Sequence, residues 1–244
     1  MATFSGTRLE SINYAALFQF NHLSPKIQGH LRRVYQTLAL VVLFAAAGAY
    51  AHILYGLGGL STHLGFIGCT IALALTPREE EGKRWSILMG CGFLQGCSLG
   101  ELVEYVLHVD PSIVGVAFAG ALAVFVCFSA SAAMASRRSF LYLGGVLSSA
   151  LSMMFTMTLA GWLFGASRFV FNLEVYVGLL IFCGFILFDT QLIIEKAAGG
   201  DTDYITHALD LFVDFVAIFV RLLIVLLQKN EDKERRERRR KDRR

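Results

Sequence analysis

Polar punctuation is scarce in this chain. Only three prolines occur among 244 residues, and charged residues make up 17%. Stretches that alternate polar and apolar residues, as half-buried strands do, are few. These shortages argue against a β-rich fold and against a soluble domain with an ordinary charged surface. The five cysteines, Cys69, Cys91, Cys97, Cys127 and Cys183, all lie inside apolar runs, with no CxxC spacing. That excludes a disulfide framework and a zinc ribbon and leaves them as packing residues. No HExxH, P-loop or Rossmann glycine pattern is present, and the six histidines are dispersed. The expectation is a protein that is no enzyme, holds no cofactor and binds no nucleic acid.

What is present is apolar sequence, 55% of the chain. Runs of about 20 residues, enough to span hydrocarbon, fall at 34–56, 58–76, 85–107, 112–136, 139–165 and 169–195, with a weaker seventh at 207–228. The fold class expected is an all-α polytopic membrane protein: six transmembrane helices around a charged seventh helix, spanning or re-entrant. Residues 1–33 read as a cytosolic N-terminal segment, 34–228 as the helical bundle and 229–244 as a basic charged C-terminal tail. The first 33 residues lack the short apolar core and cleavage site of a signal peptide, so the first span is expected to target the chain itself.

Lysine and arginine placement orients the bundle. With the N-terminus cytosolic, that side receives Arg8, Lys26, Arg32, Arg33, Arg78, Lys83, Arg84, Arg137, Arg138 and Lys196, and the opposite side receives only Arg168. The tail "KNEDKERRERRRKDRR", with ten Lys/Arg against five Asp/Glu, also prefers the cytosol. Seven full crossings would put it on the far side. The seventh segment carries Asp210, Asp214 and Arg221, each costing about 2.5–3.5 kcal/mol at mid-bilayer on an insertion scale. A re-entrant segment that leaves both termini cytosolic is therefore the favoured reading, with a sheltered crossing as the other.

On a helix, His207, Asp210, Asp214 and Arg221 fall within an arc of about 60°. Everything else from Leu211 to Leu227 is apolar. Such a stripe must turn away from lipid, which makes the segment central. "FILFDTQLII" places Asp189 in the sixth run, and Glu174 lies near that run's opposite end. The short link "KAAGGDTD" makes the last two segments an antiparallel hairpin. Asp189 and Asp214 then lie at comparable depth from the turn. Two facing buried carboxylates share a proton. They also offer oxygen ligands to a cation, too few for a tight calcium site but suited to one in transit. The plainer alternative is a pair of structural acids satisfied by Arg221, His207 or backbone. An intramembrane aspartyl protease would set its second aspartate in GxGD, whereas "LFV" precedes Asp214 and "HAL" precedes Asp210.

Two further features stand out. Gly92, Gly96 and Gly100 form a smooth stripe for close helix packing, with Gly161 and Gly165 a shorter pair. Glu101 and Glu104, beside Asp110 on the side almost free of Lys/Arg, are either a cation-concentrating acidic mouth or a solvated helix end.

"GFILFDTQLII" followed by "HALDLFVDFVAIFVRLLIVL" resembles the signature region of the Bax-inhibitor family, and "LSPKIQGHLRRVYQTLA" with the alternating basic tail is similar to its plant members. The resemblance covers nearly the whole chain. It implies a protein of the endoplasmic-reticulum membrane that suppresses programmed cell death and leaks calcium in a pH-sensitive way. It maps the gating aspartates onto Asp189 and Asp214, which would meet calcium transiently, and implies cell-death regulators and calmodulin as partners of the C-terminal region. Neither a KDEL nor a dilysine ending is present, so residence in the endoplasmic reticulum rests on the resemblance. The tail's i,i+4 pairs, such as Glu231–Arg235 and Glu237–Lys241, support a solvated helix. That helix has no apolar face of its own, so calmodulin anchors would have to come from Leu222 to Leu227, and attraction to anionic lipid is the simpler role. A non-conducting scaffold and a proton-coupled transporter remain as rivals to the channel. The direction of pH control stays open, because protonation can relieve repulsion or remove a cation-binding charge.

Overall fold

The computed structural model describes residues 24–135, 140–165 and 168–241. Among them are seven α-helices and no strand: α1 Pro25–Tyr55, α2 Leu60–Leu75, α3 Glu81–Val109, α4 Pro111–Met134, α5 Leu143–Phe164, α6 Arg168–Ala198 and α7 Tyr204–Lys241. Each expected apolar run falls on one helix. The chain is an all-α polytopic membrane protein: α1, α3, α4, α5 and α6 are long and apolar enough to cross a membrane. Arg8, Arg137 and Arg138 of the charge count lie outside the described residues.

Local chemistry sets the helix ends. Pro25 opens α1, and Gly56 closes it in the left-handed region at φ 64°. Asp110 caps α4 by accepting a hydrogen bond from the Ser112 N–H at 2.9 Å, with Pro111 in the first turn. Gly200, at φ 97°, turns the chain out of α6.

The helix ends form two clusters, here called the near and far ends. At the near end the starts of α1, α3 and α7 meet through His30–His207 at 3.0 Å and Arg84–Asp203 at 2.7 Å. At the far end His52 of α1 meets Glu104 of α3 at 3.3 Å, and Gln228 of α7 donates to Asn172 of α6 at 3.0 Å. Helix α2 has 16 residues, about 24 Å, yet it too runs from end to end. Gly58 before it lies beside Glu101, and Arg78 after it binds Asp201.

Helix α7 runs unbroken for 38 residues, about 57 Å. Its start is at the near end and Gln228 is at the far end, so it passes through the bundle. An unbroken helix from the near end to the far end fits the sheltered crossing better than the expected re-entrant segment. The insertion cost behind that expectation belongs to a lone helix in lipid. Here α1, α3, α4 and α6 pack against α7, and Leu211, Phe212, Ile218 and Leu223 are fully buried.

Glycines bring α1 and α3 together. A Cβ on Gly96 would stand 1.9 Å from the Ala45 carbonyl oxygen, and Gly92 and Gly100 press on Val41 and His52 in the same way. The expected stripe thus packs within the chain. Gly165 does not extend such a stripe. It ends α5 at φ 84° with open space around it.

Candidate functional site

The α6–α7 hairpin sets the depth of the acid pair. Gly199 and Gly200 close α6 through N–H bonds back to Glu195 and Ala197. Asp203 opens α7, accepting from the Thr206 N–H at 3.3 Å and the Thr206 hydroxyl at 2.9 Å. From that turn the helices descend together, and they bring the Asp189 and Asp214 carboxyl groups close enough to act on each other. Two facing buried carboxyls share a proton more readily than both ionise. Asp214 is buried, and its Oδ2 has no partner among the described residues. Asp210 lies one turn nearer the hairpin on the same face of α7 as Asp214.

The other stripe residues do not neutralise this pair. Among the described residues, no Lys, Arg or His stands within ion-pair distance of Asp189, Asp210 or Asp214. Arg221, seven residues beyond Asp214, donates to the Ala217 carbonyl at 3.0 Å. It approaches the Met154 sulfur at 3.9 Å and lies 4.4 Å from the Phe182 ring centroid. Glu174 hydrogen-bonds to Thr158 instead. His207 is turned to His30 of α1, so it too belongs to a separate contact.

Sequence reasoning missed the cluster that holds the hairpin. Arg84 reaches Asp203 with both terminal nitrogens, at 3.0 and 2.7 Å, and the two side chains are 6% and 5% exposed. Arg78 binds Asp201 at 2.9 Å, and Tyr204 donates to Glu81 at 2.5 Å. Burial works to raise the Asp203 carboxyl, but hydrogen bonds from Arg84 and Thr206 and the Arg84 charge outweigh it and hold it at about 2. The visible signal was two acids in the link "KAAGGDTD" on the side that also holds Arg78 and Arg84. A hydroxyl chain was missed as well. Tyr35 bonds Ser129, and Ser129 bonds buried Thr190 at 3.1 Å, tying α1 and α4 to the residue after Asp189.

At the far end Glu101, Glu104, His52, Tyr105 and His108 line a cavity of about 320 Å³. The two glutamates therefore sit at one opening, with Glu104 bound to His52. Asp110 is apart from them, occupied as the α4 cap, where the Ser112 hydrogen bonds hold its carboxyl below the usual range.

A family model described as "Inhibitor of apoptosis-promoting Bax1" matches residues 27–231. Bax inhibitor 1 of Arabidopsis thaliana is 49% identical over 224 residues, covering 92% of this chain and 91% of the relative. Bax inhibitor 1 of Rattus norvegicus is 47% identical over 228 residues, 92% and 96% of the two chains. Bax inhibitor 1 of Oryza sativa subsp. japonica is 44% identical over 236 residues, 97% and 95%.

Proposed function

Because this chain belongs to the Bax-inhibitor family, we propose that it is a multi-pass suppressor of programmed cell death in the endoplasmic-reticulum membrane. In this reading it acts as a pH-sensitive calcium leak gated by Asp189 and Asp214. The observation that carries the proposal is the close approach of the Asp189 and Asp214 carboxyl groups inside the bundle, with no ion-pair partner for either among the described residues. The shared proton ties α6 to α7. Its loss sets two negative charges against each other at short range and creates an oxygen site for a passing Ca²⁺. At one end of the bundle Glu101 and Glu104 raise the local cation concentration.

The near end faces the cytosol in this reading, since the segments ahead of the tail that flank and join the helices carry their Lys/Arg excess there, although the tail's own ten Lys/Arg argue the other way. Helix α7 then delivers the tail to the lumenal end. The family's calmodulin link calls for a cytosolic tail and for free apolar anchors. Leu223 and Leu227 are instead buried against α3 and α4. Attraction of the tail to anionic lipid fits the structure better than calmodulin. A glycosylation acceptor placed after Arg244 reports the side directly: modification means a lumenal tail, and none means a cytosolic one.

The decisive experiment is calcium flux from liposomes holding purified protein, across a pH series, beside Asp189→Asn and Asp214→Asn. Wild type is expected to leak at a pH-dependent rate, and each variant to lose that dependence. If no flux appears, or if both variants match wild type, the acids are structural and the protein restrains cell death as a non-conducting scaffold for cell-death regulators.

A further inference from the structure

A second cavity, of about 620 Å³, opens at the near end between the starts of α1, α3 and α7. Four cationic residues, Lys26, Arg33, Arg78 and Arg84, line it with only Glu81 and Asp203 as acids. Both acids are already engaged. Glu81 accepts from Tyr204, and Asp203 accepts from Arg84 and Thr206. Arg78 is held by Asp201 just outside. Lys26 and Arg33, in contrast, have no ion-pair partner among the described residues. They are seven residues apart on α1 and so share a face. Gly29 lies between them, and a Cβ there would meet nothing within 4 Å. The helix thus presents two uncompensated cations flanking bare backbone.

Two independent features also ask for an anion. Arg84 is 5% exposed, lines the cavity, and its Nε is buried without a partner among the described residues. Helix α1, 31 residues long, begins there with no side-chain cap and no acid in its first turn among the described residues, and the positive end of its dipole favours an anion.

The depth identifies the source of the anion. The apolar run of α1 begins at Val34. Lys26 to Arg33 are therefore the two turns just outside the hydrocarbon, the level of lipid headgroups. We propose that this cavity binds the phosphomonoester headgroup of an anionic lipid from the adjacent leaflet, with Lys26 and Arg33 on the phosphate. Basic pockets between helices at this depth suit such headgroups. A phosphomonoester carries close to two charges, which matches two free cations better than the single charge of a diester does.

The test uses the purified full-length chain in detergent micelles, titrated with dioctanoyl phosphatidylinositol 4-phosphate and with dioctanoyl phosphatidylinositol, with native mass spectrometry as the readout. The monoester lipid is expected to bind at least tenfold more tightly. Lys26→Ala with Arg33→Ala is expected to lose about thirtyfold, from roughly 1 kcal/mol per cation. Arg238→Ala with Lys241→Ala, the same charge change in the tail, is expected to leave binding intact. Gly29→Leu has room to fold and keeps every charge, and it is expected to block the site. Equal binding of the two lipids overturns the proposal, as do equal losses in the two double variants or an unaffected Gly29→Leu. Soluble inositol trisphosphate binding as tightly as the lipid overturns the lipid source.

Discussion

Helices α5 and α7 reverse the rule that polar residues face outward. Helix α5 carries no charged residue, and Leu147 is its one buried side chain among the described residues. Phe155 is 69% exposed there. Helix α7 carries Asp210, Asp214 and Arg221, yet four helices pack against it and Phe212 is fully buried. In water the apolar helix would be the core. In lipid an apolar surface has nothing to gain by hiding, whereas an intramembrane carboxyl group must leave the hydrocarbon. The centre of this bundle is therefore assigned to the helix that tolerates lipid least.

The comparison can be broken by truncating one phenylalanine on each helix. Phe212→Ala on α7 is expected to cost about 3–5 kcal/mol through the cavity it leaves. Phe155→Ala on α5 should stay within about 0.5 kcal/mol. Reversible unfolding in mixed micelles reads both, and similar costs would mean that α7 is not the core.

A smaller effect is expected where α7 is fastened. Arg84→Ala leaves Asp203 buried without its main partner and should destabilise by about 3 kcal/mol, measured as a lowered unfolding midpoint. An unchanged midpoint would show the hairpin to be held by packing alone.

The smallest effect is in the pH dependence of that fastening. The Asp203 carboxyl is held down at about 2 in the folded protein. Its contribution is therefore full above the unfolded value near 4 and fades as pH falls towards 2. Asp203→Asn should remove on the order of 1–2 kcal/mol at neutral pH, allowing for solvent screening. The variant and wild type should then converge as the medium is acidified. A gap that persists at pH 2 would point to a packing defect rather than a lost charge.

Much of this was legible in the sequence because the bilayer imposes a length. Each run of apolar residues had to be one helix, and the narrow arc of His207, Asp210, Asp214 and Arg221 had to turn inward. The meeting of Asp189 and Asp214 followed from a hairpin too short to allow other depths. The His30–His207 and Arg84–Asp203 contacts join residues 177 and 119 positions apart. No local pattern encodes such a pairing, which depends on how α1 and α3 are set by the glycine stripe. Gly165 shows the limit of spacing as a guide. Its four-residue step from Gly161 suits a packing groove, but its place at a helix end makes it a turn. The tail is hard to place for a related reason: its charge argues for one side of the membrane, while the path of α7 depends on the bundle it threads.

Helix α7 also joins its two environments without a hinge. The backbone that carries Asp214 inside the bundle continues as one rod into the charged segment beyond Gln228. A rod has no slack, so a pull or a twist applied to that segment arrives at the acid pair as a displacement. The charged segment and the buried acid thus share a single piece of backbone.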